Sequence, residues 1–204
     1  MALNDPRIYL ASRSPRRREL LKQINVSFDL LLLREARERG VDVDESPHAG
    51  EPAFEYVQRV AHTKAETAWR MIGMRRLPLN PVLTADTTVV VDGLIVGKPQ
   101  DAEHARELLA RLSGRKHEVL TAVAVAHKGV TETALSRSAV EFRDISADEI
   151  TRYVASGEPI DKAGGYAIQG RGAVFVRAIL GSYSGIMGLP LFETAEILRR
   201  LRIM

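Results

Sequence analysis

Residues 82–99, VLTADTTVVVDGLIVGKP, place Asp92-Gly93 between two runs rich in β-branched residues. Both turn residues tolerate the positive φ that a two-residue hairpin demands, so this stretch predicts two adjacent antiparallel strands. Helical patterns before and after the hairpin then make the chain α/β rather than a bundle. Arg7 to Ala11 reads as a short strand and Phe28 to Leu33 as an apolar one. Between them Ser14-Pro15 opens a helix, a hydroxyl N-cap followed by proline at the first helical position, with Leu20, Leu21 and Ile24 at helical spacing. Arg34 to Pro47 reads as a charged, exposed loop. A longer helix starts at Pro52 and carries Phe54, Val57, Val60, Ala61, Ala68, Met71 and Ile72 on its apolar side. Asp101 caps a helix through Leu112 that Gly114 closes, and Ser146 with Glu149 forms a capping box for a helix to about Ala155. Val119 to Ala126, Leu135 to Phe142 and Ala173 to Ile179 read as further strands, and Pro190 to Leu201 as a final amphipathic helix. Without repeats or a flexible linker, residues 1–204 are expected to form a single domain.

Composition bounds the setting. The 204 residues are 45% hydrophobic, enough for a large core. No cysteine is present, which excludes disulfides and thiolate metal sites. The N-terminal MALNDPRIYL lacks the apolar run of a signal peptide, and no segment approaches the roughly 18 apolar residues of a membrane span, so a soluble cytoplasmic protein is expected. A formal net charge of +3 and 5% aromatic residues speak against a nucleic-acid module with stacking platforms.

Several residues sit where their chemistry is out of place. A helix start favours acidic side chains, yet this one carries Arg16, Arg17 and Arg18. Backbone N–H groups, the dipole and guanidinium forks together make an anion site, with Ser12 and Ser14 as hydroxyl donors; a solvated basic turn is the plain alternative. Asp86 interrupts a strand, where a carboxylate must be paired, hydrogen-bonded or metal-bound. Lys64 shares a helical stripe with Val57, Ala61, Ala68 and Met71, so it either snorkels outward or enters a cleft. Lys98, between Gly97 and Pro99, adds a cation on extended backbone. Gln169, in DKAGGYAIQG, can donate to and accept from a base edge, or merely occupy a turn. The five histidines show no ligand spacing, so any metal here is a hard ion on carboxylates such as Asp86 or the Asp42, Asp44, Glu45 group. Neither a phosphate-binding P-loop nor a Gly-x-Ser-x-Gly elbow occurs.

Taken together, these stretches resemble the Maf family of nucleoside triphosphate pyrophosphatases. The resemblance rests on Ala11-Ser12-Arg13-Ser14-Pro15-Arg16-Arg17 with Glu19-Leu20-Leu21, and on Tyr56-Val57-Gln58-Arg59-Val60-Ala61 leading to Lys64-Ala65. It continues through Ala85-Asp86-Thr87, Lys98-Pro99, Leu112-Ser113-Gly114 and Gly188-Leu189-Pro190. It implies an elongated mixed sheet with flanking helices and two lobes around a deep substrate cleft, as in inosine triphosphatase-like folds, and a homodimer. The implied reaction is hydrolysis of a nucleoside triphosphate to the monophosphate and pyrophosphate with Mg²⁺ or Mn²⁺, without nucleic-acid or membrane partners.

In this reading Asp86 matches the catalytic aspartate, the proton acceptor, and is with Glu45 a candidate metal ligand; metal ligation alone is the other role open to it. Glu45 is chosen because it lies nineteen positions before Lys64, after an apparent insertion at Arg34 to Asp42. Ser12, Ser14, Arg16, Arg17, Lys64 and Lys98 are expected to grip the phosphates, with Arg18 left in solvent. Specificity positions map onto Arg16, Thr87 and Gln169, and the DKAGGYAIQG stretch resembles the branch acting on dTTP and UTP rather than on 7-methyl-GTP. The rivals are a pyrophosphatase for 7-methyl-GTP or another modified nucleotide and a nucleotide sensor without turnover.

Overall fold

The computed structural model describes residues 7–34 and 42–204. Among these residues one mixed sheet contains β1 (Ile8–Leu10), β2 (Phe28–Leu30), β3 (Val82–Val91), β4 (Leu94–Val96), β5 (Lys116–His127), β6 (Val130–Phe142) and β7 (Val176–Leu180). Helices α1 (Pro15–Gln23), α2 (Ala53–Met74), α3 (Ala102–Leu112), α4 (Ala147–Ala155), α5 (Tyr183–Met187) and α6 (Leu191–Arg200) flank it. The strand order is β2-β1-β3-β5-β6-β7, with β4 also on β3. Strand β1 runs parallel to both neighbours, and the remaining pairs are antiparallel. The hairpin forms at Asp92-Gly93, with φ of 53° and 73°, the paired positive values that a tight turn between twisted strands requires. Among the described residues no helix is long and apolar enough to cross a membrane.

Alternation along β3 organises the layers. Val82 and Val90 face α2, packing with Val57, Ala61, Ala65, Ala68 and Ile72. Leu83 and Ala85 face the other way, onto Leu20 and Leu21 of α1 and Ile197 and Leu198 of α6. Val89 and Val91, on that second face, join a separate core with Leu109, Phe142, Tyr153 and Phe175. The second face therefore carries two apolar cores, one toward each end of β3. Between them Thr87, Thr121 and Ser136 lie opposite one another on β3, β5 and β6, with Ser138 beside them. Helix α5 sits on this hydroxyl strip: Thr121 donates to the Gly185 carbonyl at 2.8 Å, and the Ser182 N–H donates to Ser138 Oγ at 3.0 Å.

Local signals place most boundaries well. Asp101 caps α3 through the His104 N–H, and the Ser146–Glu149 capping box is complete. Other expectations shift. Strand β2 stops at Leu30, and β7 begins at Val176 because 171–175 coil as a 3₁₀ turn. Phe54, in the first turn of α2, is exposed rather than on the apolar side, and Arg18 is half-buried rather than in solvent. Ser14 occupies the N-cap position of α1 without a capping side-chain bond; its own N–H donates to Ser12 Oγ at 3.2 Å. Half of the charged loop and most of the insertion, residues 35–41, lie outside the described residues.

Candidate active site

One edge of β3 is open in the middle. Strand β1 covers it as far as Leu10 opposite Leu83, and the Ala11 N–H still reaches the Leu83 carbonyl at 2.9 Å. Strand β4 takes up the same edge again only at Val89 opposite Val96. Among the described residues Thr84 to Thr88 have β5 as a strand partner on one side and none on the other. Proline closes both flanks. Pro15 commits the chain to α1 just after β1, and Pro99, which has no N–H for a ladder, follows β4.

Asp86 lies in this gap and is nearly buried, with its side chain on the α2 side. Lys64 reaches it from α2: Nζ lies 2.9 Å from Asp86 Oδ1 and 2.9 Å from Glu45 Oε2. The lysine side chain is only 13% exposed, so it enters the cleft instead of snorkelling out. Of the acidic group at 42–45, only Glu45 converges on Asp86. Asp42 pairs with Arg34, which holds its carboxyl below the usual range, and Asp44 accepts from the Ser46 N–H. The loop bearing Glu45 is tied to α2 twice. Tyr56 Oη donates to the Glu45 carbonyl at 3.0 Å, and Arg59 bridges Glu51 and the Ser46 carbonyl. Burial, with the charges of Asp86 and Glu45 close by, pushes the Tyr56 phenol up to about 12.

Regular pairing of β3 with β5 puts Thr87 on the opposite face from Asp86. There, among the described residues, Arg17 reaches Gly188, Ser12 and Thr87. Its Nε donates to the Gly188 carbonyl at 2.7 Å, Nη1 to Ser12 Oγ at 3.1 Å and Nη2 to Thr87 Oγ1 at 3.4 Å. Thr87 Oγ1 also lies 3.0 Å from Thr121 Oγ1, which accepts from it because the single Thr121 proton is given to the Gly185 carbonyl. The two faces meet through the gap, in a cleft lined by Ser12, Arg13, Arg17, Glu45, Lys64 and Ala85.

The glycine-rich segment borders the gap beyond Val89. The Gly164 N–H donates to the Gly97 carbonyl at 3.1 Å. Gly164 has φ of +71°, and a Cβ there would lie 3.0 Å from the Val89 side chain. Burial lowers the Arg16 guanidinium against the raising influence of Glu19 and Asp161, and burial with Arg16 lowers Lys162, so the start of α1 faces this segment electrostatically. Lys98 and Gln169 are exposed and make no bond to Asp86, Lys64 or Arg17 among the described residues. The structure thus brings together Asp86, Lys64 and Glu45 on one face and Ser12, Arg17 and Thr87 on the other. Ser14 contributes through its backbone, whereas Arg16, Lys98 and Gln169 are not among the residues that line the cleft.

Three participants escaped sequence reasoning. Tyr56 lies in a quoted motif but had no assigned task, and the carbonyl of Gly188 carries no side-chain signal. Thr121 matters only through its register with Thr87. No cluster of three or more potential ligands occurs among the described residues. Two convergent carboxylates, Glu45 and Asp86, nonetheless suit a hard divalent ion that completes its shell with phosphate oxygens and water.

Comparison with known proteins places the chain among relatives along nearly its whole length. Residues 7–201 match the family described as Maf-like protein. A dTTP/UTP pyrophosphatase of Nitrosomonas europaea is 57% identical over 196 residues, covering 96% of this chain and 95% of that protein. A dTTP/UTP pyrophosphatase of Aromatoleum aromaticum is 59% identical over 194 residues, covering 94% of each. Among solved structures, the Staphylococcus aureus Ham1 protein aligns with a TM-score of 0.46 at 18% identity, over 68% of this chain and 72% of that one.

Proposed function

The chain belongs to the Maf family, and with that as premise we propose that it hydrolyses dTTP and UTP to the nucleoside monophosphate and pyrophosphate. The observation that carries the reading is Lys64, whose single ammonium contacts Asp86 and Glu45 at the open edge of β3. An ammonium and two carboxylates in one cleft provide a proton acceptor, a counter-charge for phosphate and ligands for a divalent ion.

In the proposed reaction Asp86 takes a proton from the attacking water. The water oxygen bonds to the α-phosphorus, and the bond to the α,β-bridging oxygen breaks, releasing pyrophosphate. Arg16, Lys64 and Lys98 offset the charge that gathers on the leaving group. Arg17 holds Ser12 and Thr87 in place while its guanidinium lines the cleft. Glu45 and Asp86 would hold a Mg²⁺ or Mn²⁺ ion, whose charge is set against the phosphates when it is bound. Gln169 and Thr87 read the pyrimidine, with Arg16 beside them. The helix start that carries three arginines is thereby matched to a polyanion. The same family reading supports a homodimer working in the cytoplasm, where the triphosphate pool is; sedimentation measures the first.

Pyrophosphate release from a panel of nucleoside triphosphates, wild type beside Asp86→Asn, tests the reading. The expected result is preference for dTTP and UTP and at least a hundredfold loss of kcat in the variant. Preference for 7-methyl-GTP would overturn the pyrimidine assignment. Triphosphate binding without turnover by the wild type would make the protein a sensor.

A further inference from the structure

Gln169 is an exposed residue on a glycine-rich segment, and a base reader needs a fixed backbone beneath it. The structure supplies one from an element outside the cleft. Glu158, just after α4, turns its carboxylate into the segment that carries Gln169. Its Oε1 accepts from the Gly172 N–H at 3.0 Å and its Oε2 from the Arg171 N–H at 2.9 Å. Tyr153, buried on α4, donates its hydroxyl to Glu158 Oε1 at 2.8 Å and accepts from the Ala167 N–H at 3.2 Å. These two side chains therefore bind the backbone on both sides of Gln169, at Ala167 before it and at Arg171 and Gly172 after it.

The fit is close on every side. A Cβ at Gly170 would stand 2.6 Å from Glu158 Oε2, and one at Gly172 2.8 Å from Tyr153 Oη, so the glycines of this segment let its backbone wrap the pair. Lys162 Nζ donates to the Glu158 carbonyl at 2.6 Å, tying the start of the segment to the same residue. Burial raises the Glu158 carboxyl, but the N–H groups of Arg171 and Gly172, the Tyr153 hydroxyl and the charge of Lys162 together hold it below its ordinary value. The charged form is thus the one the segment is built around.

We propose that Glu158 and Tyr153 are positioning residues for base discrimination, setting the place of Gln169 through its backbone without touching substrate. The proposal rests on the reading of Gln169 as the group that meets the pyrimidine. Removing either support lets Gln169 wander, which weakens recognition of the base and leaves the phosphate chemistry at Asp86 and Lys64 intact.

The test compares kcat/KM for dTTP with that for dCTP, two substrates that differ only at the base, in wild type, Gln169→Ala, Glu158→Gln and Tyr153→Phe. Gln169→Ala is expected to bring the dTTP:dCTP ratio close to one. Glu158→Gln and Tyr153→Phe are each expected to lower that ratio at least threefold, through a raised KM for dTTP, with kcat on dTTP kept within twofold. Should Glu158→Gln fail to fold, Tyr153→Phe, which deletes one hydroxyl, decides alone. A collapsed ratio in Gln169→Ala beside an unchanged ratio in Tyr153→Phe would overturn the positioning role, whatever happened to the melting temperature. A loss seen in kcat rather than KM would overturn it as well. An unchanged ratio in Gln169→Ala would instead remove the base-reading assignment on which the proposal stands.

Discussion

His117 on β5 is buried against Phe142, and its Nε2 lies 2.9 Å from Tyr166 Oη. Burial pushes its pKa down from 6.5 to about 4. Below pH 6.5 the unfolded chain takes up a proton that the folded imidazole refuses, so folding loses stability as pH falls from 6.5 to 4, by about 3 kcal/mol at the lower end. Above pH 6.5 the contribution is complete. His127, lowered by burial and Lys128, changes in the same direction, whereas Glu51 and Glu149, held down to about 2 by Arg59 and Arg143, respond only in more acid solution. Urea unfolding of wild type and His117→Gln between pH 7 and 4.5 separates the terms. The variant should lose about 2 kcal/mol less on acidification, and equal losses in the two proteins would refute the assignment. At this scale the sequence was informative where a residue was out of place. A carboxylate inside a strand and a lysine on an apolar stripe each needed a partner, and they are each other's. What could not be read is the bonding of Arg17, because two of its anchors, Thr87 and Gly188, come from distant stretches of the chain.

Among elements, those with local causes were legible and those made by tertiary contact were not. The Asp92-Gly93 hairpin and the caps of α3 and α4 follow from neighbouring residues alone. Helix α5 gives no such warning. Its five residues, Tyr183–Met187, are held by Ser182 at the N-cap, by hydroxyls of the sheet below and by Gly188, with φ of +112°, at its end. Strand β6 begins five residues before the apolar pattern suggests, because Val130 to Ala134 pair with β5 while half-exposed. The docking of the glycine-rich segment on β3 can be checked at this scale. Gly164→Ala adds a Cβ 3.0–3.3 Å from three carbons of Val89 on a backbone with positive φ. It should destabilise the protein by about 2 kcal/mol in thermal or urea unfolding, adding backbone strain to the steric contact. The companion change Val89→Ala relieves only the contact, so the double variant should stay below Val89→Ala alone. A fully additive pair would mean that the two residues do not press on each other.

For the whole molecule, the deciding property is the division of one sheet face into two apolar cores with a hydroxyl strip between them, beside an edge left open. The sequence announced the sheet and its helices but not this division, since Asp86 and Thr87 are neighbours in the chain yet serve opposite faces. A nucleotide seated in the cleft as proposed would contact both sides of the gap and so stabilise the molecule as a unit. The non-hydrolysable α,β-methylene analogue of dTTP with Mg²⁺, at a hundred times its Kd, should raise the unfolding free energy by about 2.7 kcal/mol. Excess chelator should remove most of that increment, measured by thermal shift. An increment unaffected by chelator would overturn Glu45 and Asp86 as ion ligands.

The short hairpin arm β4 carries one more consequence. Its pairing, Val91 with Leu94 through Val89 with Val96, would, if continued, set Gly97 against Thr88, Lys98 against Thr87 and Pro99 against Asp86. A longer arm would satisfy more amides and make a sturdier sheet, and it would seal the chemistry behind it. The chain stops the zipper with a residue that cannot donate, and sends the Gly97 carbonyl to Gly164 instead. Selection for thermostability alone, acting on residues 97–99, would therefore drift toward a tougher protein that no longer works.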